Sequence, residues 1–157
     1  MKLYHYTIGT YLPQIVEDRE IKLSTGFLDR NVRPAAWFTT NLEWDQTANK
    51  MILDKRTGEL VSLSMKETEL AGNGLVRIAI DAEAAPHTWW DYKRLAGEKK
   101  KMLSALLDSA RAEGSDPEKD WRMSFVPIGS EHWLSIDVWD GQEWKTEWSK
   151  EEVWEDK

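Results

Sequence analysis

Three features of this 157-residue sequence predict a mixed α+β fold. Short runs rich in β-branched and aromatic residues recur along the chain, 75–80 being the clearest, and read as strands. One long segment, 97–113, carries Met102, Leu103, Leu106, Leu107 and Ala110 on a shared stripe and stops at Gly114. From Trp121 onward three strand-like runs follow, 121–126, 133–139 and 143–148, the last two joined by Asp140-Gly141, a strong hairpin signal. The expectation is one domain, 1–157, of roughly six to seven strands with its helices mostly in the first two-thirds.

Each element has its own reason. Residues 2–6 alternate Leu3 and His5 against Tyr4 and Tyr6, the period of a half-buried strand. Thr10 is placed to cap a helix with Pro13 in its first turn, where the missing N–H costs nothing. Leu12, Ile15 and Val16 give that helix one apolar face. Ile21 and Leu23 form a short strand that Ser24-Thr25-Gly26 turns out of. Residues 27–35, with Asp29, Arg30, Asn31 and Arg33 ahead of Pro34, read as an exposed loop, and 36–40 as a strand. Leu42-Glu43 opens a helix bearing Trp44, Ala48, Met51 and Ile52. Residues 55–58 turn the chain into a strand at 60–63, and Gly72-Asn73-Gly74 leads into the run at 75–80. Pro86 breaks the chain before a helical turn at Trp89-Trp90-Asp91-Tyr92, and the tail from Lys150 is charged.

Composition narrows the function classes. With 21 Lys and Arg against 28 Asp and Glu, the net charge of -7 argues against charge-driven binding of nucleic acid. No run approaches the roughly 18–20 apolar residues that span a bilayer, and residues 1–6 contain no apolar signal region, so no membrane association and a cytoplasmic location are expected. Without cysteine there is no disulfide or thiolate chemistry. His5, His87 and His132 lie in separate segments, so no metal site is expected. Ten tryptophans predict an aromatic core, with Trp144, Trp148 and Trp154 the ones expected to be partly exposed.

The common catalytic signatures are missing. The sequence has no Gly-x-Ser-x-Gly elbow, no Gly-x-Gly-x-x-Gly and no Walker lysine loop. His5-Tyr6-Thr7 matches half of a two-histidine phosphoesterase motif, but His87-Thr88-Trp89 and His132-Trp133-Leu134 do not supply the other half.

One pattern remains. Leu3-Tyr4-His5-Tyr6-Thr7, a short helix, Ile21-Lys22-Leu23-Ser24 and then Ala36-Trp37-Phe38-Thr39-Thr40 resemble the opening of ADP-ribosyltransferase-like domains with a first-strand histidine. Glu131, just ahead of His132-Trp133-Leu134-Ser135-Ile136, stands where that family carries its late-strand glutamate. The resemblance implies a split, curved β-sheet core with peripheral helices and NAD as co-substrate. NAD would be held by the strand of His5, Tyr6 and Thr7 and by that of Trp37, Phe38, Thr39 and Thr40. His5 would bond the adenosine ribose, the Tyr6 backbone the nicotinamide amide, and Trp37 or Phe38 would stack on the nicotinamide ring. Arg33 is the candidate for the pyrophosphate, as a permanent cation with a planar fork of donors. Glu131 would bind the nicotinamide ribose and stabilise the oxocarbenium-like transition state.

Two departures shape the expectation. Trp37-Phe38 replace the family's usual second-motif tyrosine, and Gly129 stands where a paired acidic or glutamine residue would support arginine-directed modification. The reading is a mono-ADP-ribosyltransferase of the toxin, effector or phage type. Its acceptor is a protein, a nucleic acid or a small molecule, and such enzymes can carry a cognate antitoxin or immunity partner. A non-enzymatic acidic binding or inhibitor protein is the alternative, and an RNA 2'-phosphotransferase-like enzyme a second one.

Overall fold

A computed structural model of the chain describes residues 1–25 and 31–150. The strands and helices run β1 (Lys2–Ile8), α1 (Leu12–Asp18), β2 (Glu20–Ile21), β3 (Ala36–Thr39), β4 (Met51–Leu53), β5 (Leu60–Ser62), α2 (Met65–Ala71) and β6 (Leu75–Asp81). They continue β7 (His87–Thr88), α3 (Trp89–Leu95), α4 (Lys100–Ala112), α5 (Pro117–Asp120), β8 (Trp121–Ser124), β9 (Ile128–Gly129), β10 (Trp133–Trp139) and β11 (Trp144–Ser149). The architecture is α+β, as the sequence predicts. A seven-stranded sheet has the order β11-β10-β6-β1-β3-β8-β7, every neighbouring pair antiparallel.

The centre of the sheet follows from β6, whose run Leu-Val-Arg-Ile-Ala-Ile is apolar on both faces except for Arg77. β6 pairs with β1 over seven positions, from Lys2↔Asp81 to Ile8↔Leu75. Alternation in β1 then sorts side chains to two cores. Leu3 packs with Phe38, Ile78, Ile80 and Trp133, against Leu12 and Ile15 of α1. Tyr6 and Ile8 pack with Trp44 and Leu75 on the opposite face. A third cluster, Trp89, Tyr92, Leu103, Ala110, Trp121 and Met123, joins α3 and α4 to β8. On its other side β1 meets β3 at one register pair, Tyr4↔Thr39. The two strands share no second register pair.

Several expectations are corrected. Residues 42–52 are not a helix: a 3-10 turn at Gln46–Ala48 is followed by β4. Asp45 accepts the Thr47 N–H at 2.9 Å and so closes a turn where the helical spacing asks for a continuing helix. Thr10 does not cap α1; its hydroxyl donates to the Gly72 carbonyl at 2.8 Å, and Pro13 still falls in the first turn. α2 is an element the apolar spacing does not announce, started by a capping box in which Ser64 and Glu67 exchange bonds. The strand read at Ile21 and Leu23 covers Glu20–Ile21, and Ser24 bridges to Ala35 instead. The loop 27–35 is not exposed throughout, because Val32 and Ala35 are buried; Gly26, Asp29 and Arg30 lie outside the described residues, as does Trp154. Trp144 and Trp148 are half-buried as expected, but among the described residues the exposed tryptophan is Trp90, at 57%. No helix among the described residues is long and apolar enough to cross a membrane.

The β1–α1 corner is held by Gly9 N–H and Thr10 N–H, which donate to the carbonyls of Gly74 and Gly72 at 2.9 and 3.0 Å. A Cβ on Gly9 would overlap the Asn73 carbonyl oxygen. Gly9→Ala is therefore expected to lower unfolding stability by about 1–3 kcal/mol in urea titration. An unchanged midpoint would contradict this close approach.

Candidate functional site

Beside the β1–β3 junction lies a cleft of about 740 Å³. That is within the roughly 300–1,000 Å³ of small-molecule sites. Tyr4, His5 and Tyr6 of β1 and 36–39 of β3 form one side of it, and Lys22 and Ser24 stand at its edge. Asp45, Thr47 and Ala48, the Trp121 ring and the α3 residue Tyr92 add to the wall. α4 closes it with Met102, Ala105, Leu106 and Ser109, one face at helical spacing, while Leu103, Leu107 and Ala110 turn to the aromatic core. The single stripe read from the sequence is thus two faces with different tasks.

His5 bridges the gap. Its Nδ1 lies 3.0 Å from the Trp37 carbonyl oxygen, which can only accept, so Nδ1 carries the proton and Nε2 is left an acceptor. Its ring sits 5.6 Å from that of Phe38. Burial lowers the His5 pKa from its ordinary value, opposed by the bond to Trp37. Tyr6 donates its hydroxyl to the Asn41 carbonyl at 2.6 Å, and burial pushes its phenol well up, opposed by Arg77. Trp37 is half-buried, its ring held edge-on by Tyr92 and Trp121 at 4.7 and 5.3 Å. Phe38, although it lines the cleft, is 3% exposed and packed in the core, and the buried Thr39 hydroxyl accepts the Asn41 N–H at 3.1 Å. Of the two aromatic residues read for ring stacking, Trp37 is the one with surface to offer.

The remaining expected residues lie elsewhere. Thr7 is on β1 but does not line the cleft. Arg33 is exposed, its guanidinium 4.0 Å from the Phe125 ring centroid and outside the lining. Glu131 sits in a 3-10 turn before β10, its side chain 72% exposed and 3.6 Å from His132 Nε2, and it does not line the cleft. Its carboxylate folds back over Gly129, where a Cβ would collide with it. Among the described residues, the carboxylates in the lining are Asp45 and Glu98, and the cation is Lys22, which is ion-paired with Asp18 at 2.8 Å. No group of three or more His, Asp or Glu among them is placed to hold a metal.

Asp45 is a residue that sequence reasoning missed. It is 5% exposed and accepts from Thr47 N and Oγ1 at 2.9 and 2.5 Å, Ser115 Oγ at 2.6 Å and Trp121 Nε1 at 3.0 Å. Those bonds tie the loop after β3 to the chain before α5 and to β8. The available signal was Asp45-Gln46-Thr47, an aspartate placed to bond its own backbone two residues on. Glu98 has its own partner in the Lys99 N–H at 3.0 Å, and burial, with Glu98 second, raises the Tyr92 pKa.

A histidine whose folded pKa is depressed adds stability above its unfolded pKa of about 6.5, and that stability is lost as pH falls below it. Wild type is expected to lose stability between pH 7 and 5 more steeply than His5→Gln, whose amide can still donate to Trp37. Equal slopes in urea titrations across that range would contradict the depressed His5 pKa.

Comparison of the chain with protein-family models, with curated proteins and with solved structures gives no match to any of them.

Proposed function

We propose that the cleft between β1 and β3 binds NAD and that the protein transfers ADP-ribose from it to an acceptor. One observation carries the reading. His5, Tyr6, Trp37, Phe38 and Thr39, singled out by their resemblance to ADP-ribosyltransferase motifs, line one cleft beside the β1–β3 junction.

The cleft's chemistry suits part of the ligand well. Trp37, braced by two rings, offers a flat apolar surface to a nicotinamide or adenine. His5, with Nδ1 committed to Trp37, has Nε2 to accept from a ribose hydroxyl. The diphosphate is served by Lys22 alone among the described lining residues. That scarcity of cations weighs against the RNA 2'-phosphotransferase reading, which needs a grip on an extra phosphate. In the transfer itself the bond between nicotinamide and ribose C1' breaks, nicotinamide leaves with the bonding electrons, and an acceptor nucleophile attacks C1' and gives up its proton. The carboxylate facing the developing positive charge is Glu131 on the resemblance and Glu98 on the lining of the cleft. Glu131's place outside that lining also favours a second reading, a binding protein that takes the nucleotide without turning it over.

Nicotinamide release from NAD, followed by chromatography, separates these. Wild type is expected to release nicotinamide. Trp37→Ala should bind NAD about 10–100-fold more weakly, the worth of one aromatic stack of about 1–3 kcal/mol. Glu131→Ala should lose about 100–1,000-fold in turnover while keeping an NAD-dependent thermal shift. The same loss in Glu98→Ala with Glu131→Ala intact moves the carboxylate's role to Glu98. A thermal shift without release supports the binding protein. The absence of both release and thermal shift rules out the transferase.

A further inference from the structure

No residue of the β4–β5 ribbon lines the cleft. All six of its residues are exposed, and Met51, Ile52, Leu53, Leu60 and Val61 are 43–59% so. Apolar side chains therefore meet solvent on both faces of a two-stranded sheet. A lone hairpin is marginal in water, and an apolar free edge is a template for another strand. The ladder's phase is fixed by Leu63 N–H donating to the Lys50 carbonyl and Asp54 N–H to the Glu59 carbonyl, both at 2.8 Å. The Lys50 carbonyl and the Asp54 N–H thus turn toward β5, while the Lys50 N–H donates to Thr68 Oγ1 at 3.0 Å; alternation puts Ile52 with them, and the groups of Met51 and Leu53 face the open edge.

We infer that this edge pairs with a second copy of the chain, β4 against β4, antiparallel about Ile52. The stretch Lys50-Met51-Ile52-Leu53-Asp54 is complementary to itself when reversed. Met51 then faces Leu53 of the copy with the backbone bonds exchanged. Lys50 faces Asp54, and the two-fold axis makes that ion pair twice. β5 lacks this property: about Val61, Leu60 would face Ser62 and Glu59 would face Leu63. The product is a four-stranded sheet joining two protomers, independent of what occupies either cleft.

Two measurements on the full chain test it. In sedimentation equilibrium, wild type is expected at twice the chain mass. Lys50→Asp and Asp54→Lys should each self-associate at least about tenfold more weakly, since each places like charges opposite one another. An equimolar mixture of the two should form a heterodimer, because both of its cross-strand pairs are again opposite in sign. Circular dichroism identifies any variant that has not folded. The chain has no cysteine, so Ile52→Cys adds a single thiol at the dyad. The Cα atoms there would be about 4.5 Å apart, within the range of about 4.4–6.8 Å that a disulfide bridges. Ile52→Cys should cross-link to a dimer on mild oxidation and Val61→Cys should not. Wild type that stays monomeric up to its solubility limit overturns the self-pairing and leaves the ribbon to a different partner. Equal cross-linking of the two cysteine variants, or a mixture that stays monomeric, overturns the register.

Discussion

β1 and β3 are neighbours in the central sheet that share a single register pair, and the cleft lies beside that junction. An antiparallel strand offers half of its backbone groups to each side. β6 takes one side of β1 over seven pairs, whereas β3 meets the other at Tyr4↔Thr39 alone. The ladder missing there is replaced in part by a side chain, the His5 imidazole donating to the Trp37 carbonyl. A histidine suits this position because its Nδ1–H satisfies a carbonyl that a regular ladder would have satisfied, while the ring still packs against Phe38.

A cleft beside so short a ladder needs its far wall held in place. Asp45 does this with four donors from three segments, and a buried carboxylate is tolerable only when it is so fully hydrogen-bonded. The same arrangement fixes Trp121, which with Tyr92 fixes Trp37. Trp37 is therefore preorganised, so a planar ligand need not order it on binding.

The strand skeleton was legible because its signals are local. The run at 75–80 is apolar throughout, and Asp140-Gly141 joins β10 to β11 as its turn chemistry requires. The segment from Leu42 was misread because Trp44, Ala48, Met51 and Ile52 recur at helical spacing for separate reasons. Trp44 packs on Tyr6, while Met51 and Ile52 belong to an exposed ribbon. α2 was missed because its face toward the core is little more than Thr68, so its evidence is the Ser64 and Glu67 cap rather than an apolar stripe. The same holds for the site. His5, Tyr6 and Trp37 stand out by residue type on strands that the sequence reveals, and they do meet in space. Asp45 and Glu98 owe their positions to contacts many residues away, which spacing does not encode.

Hydrogen exchange with and without saturating NAD tests the cleft most directly. In the free protein the amides of β1 that face β3 lack most of a ladder and should exchange faster than those paired with β6. Bound NAD is expected to slow exchange in the segments 2–8, 36–40 and 100–110, the three walls of the cleft, and to leave the β4–β5 ribbon unchanged. Exchange unaffected in β1 and β3, or slowed only at a distant surface, would contradict the assignment of the cleft as the nucleotide site.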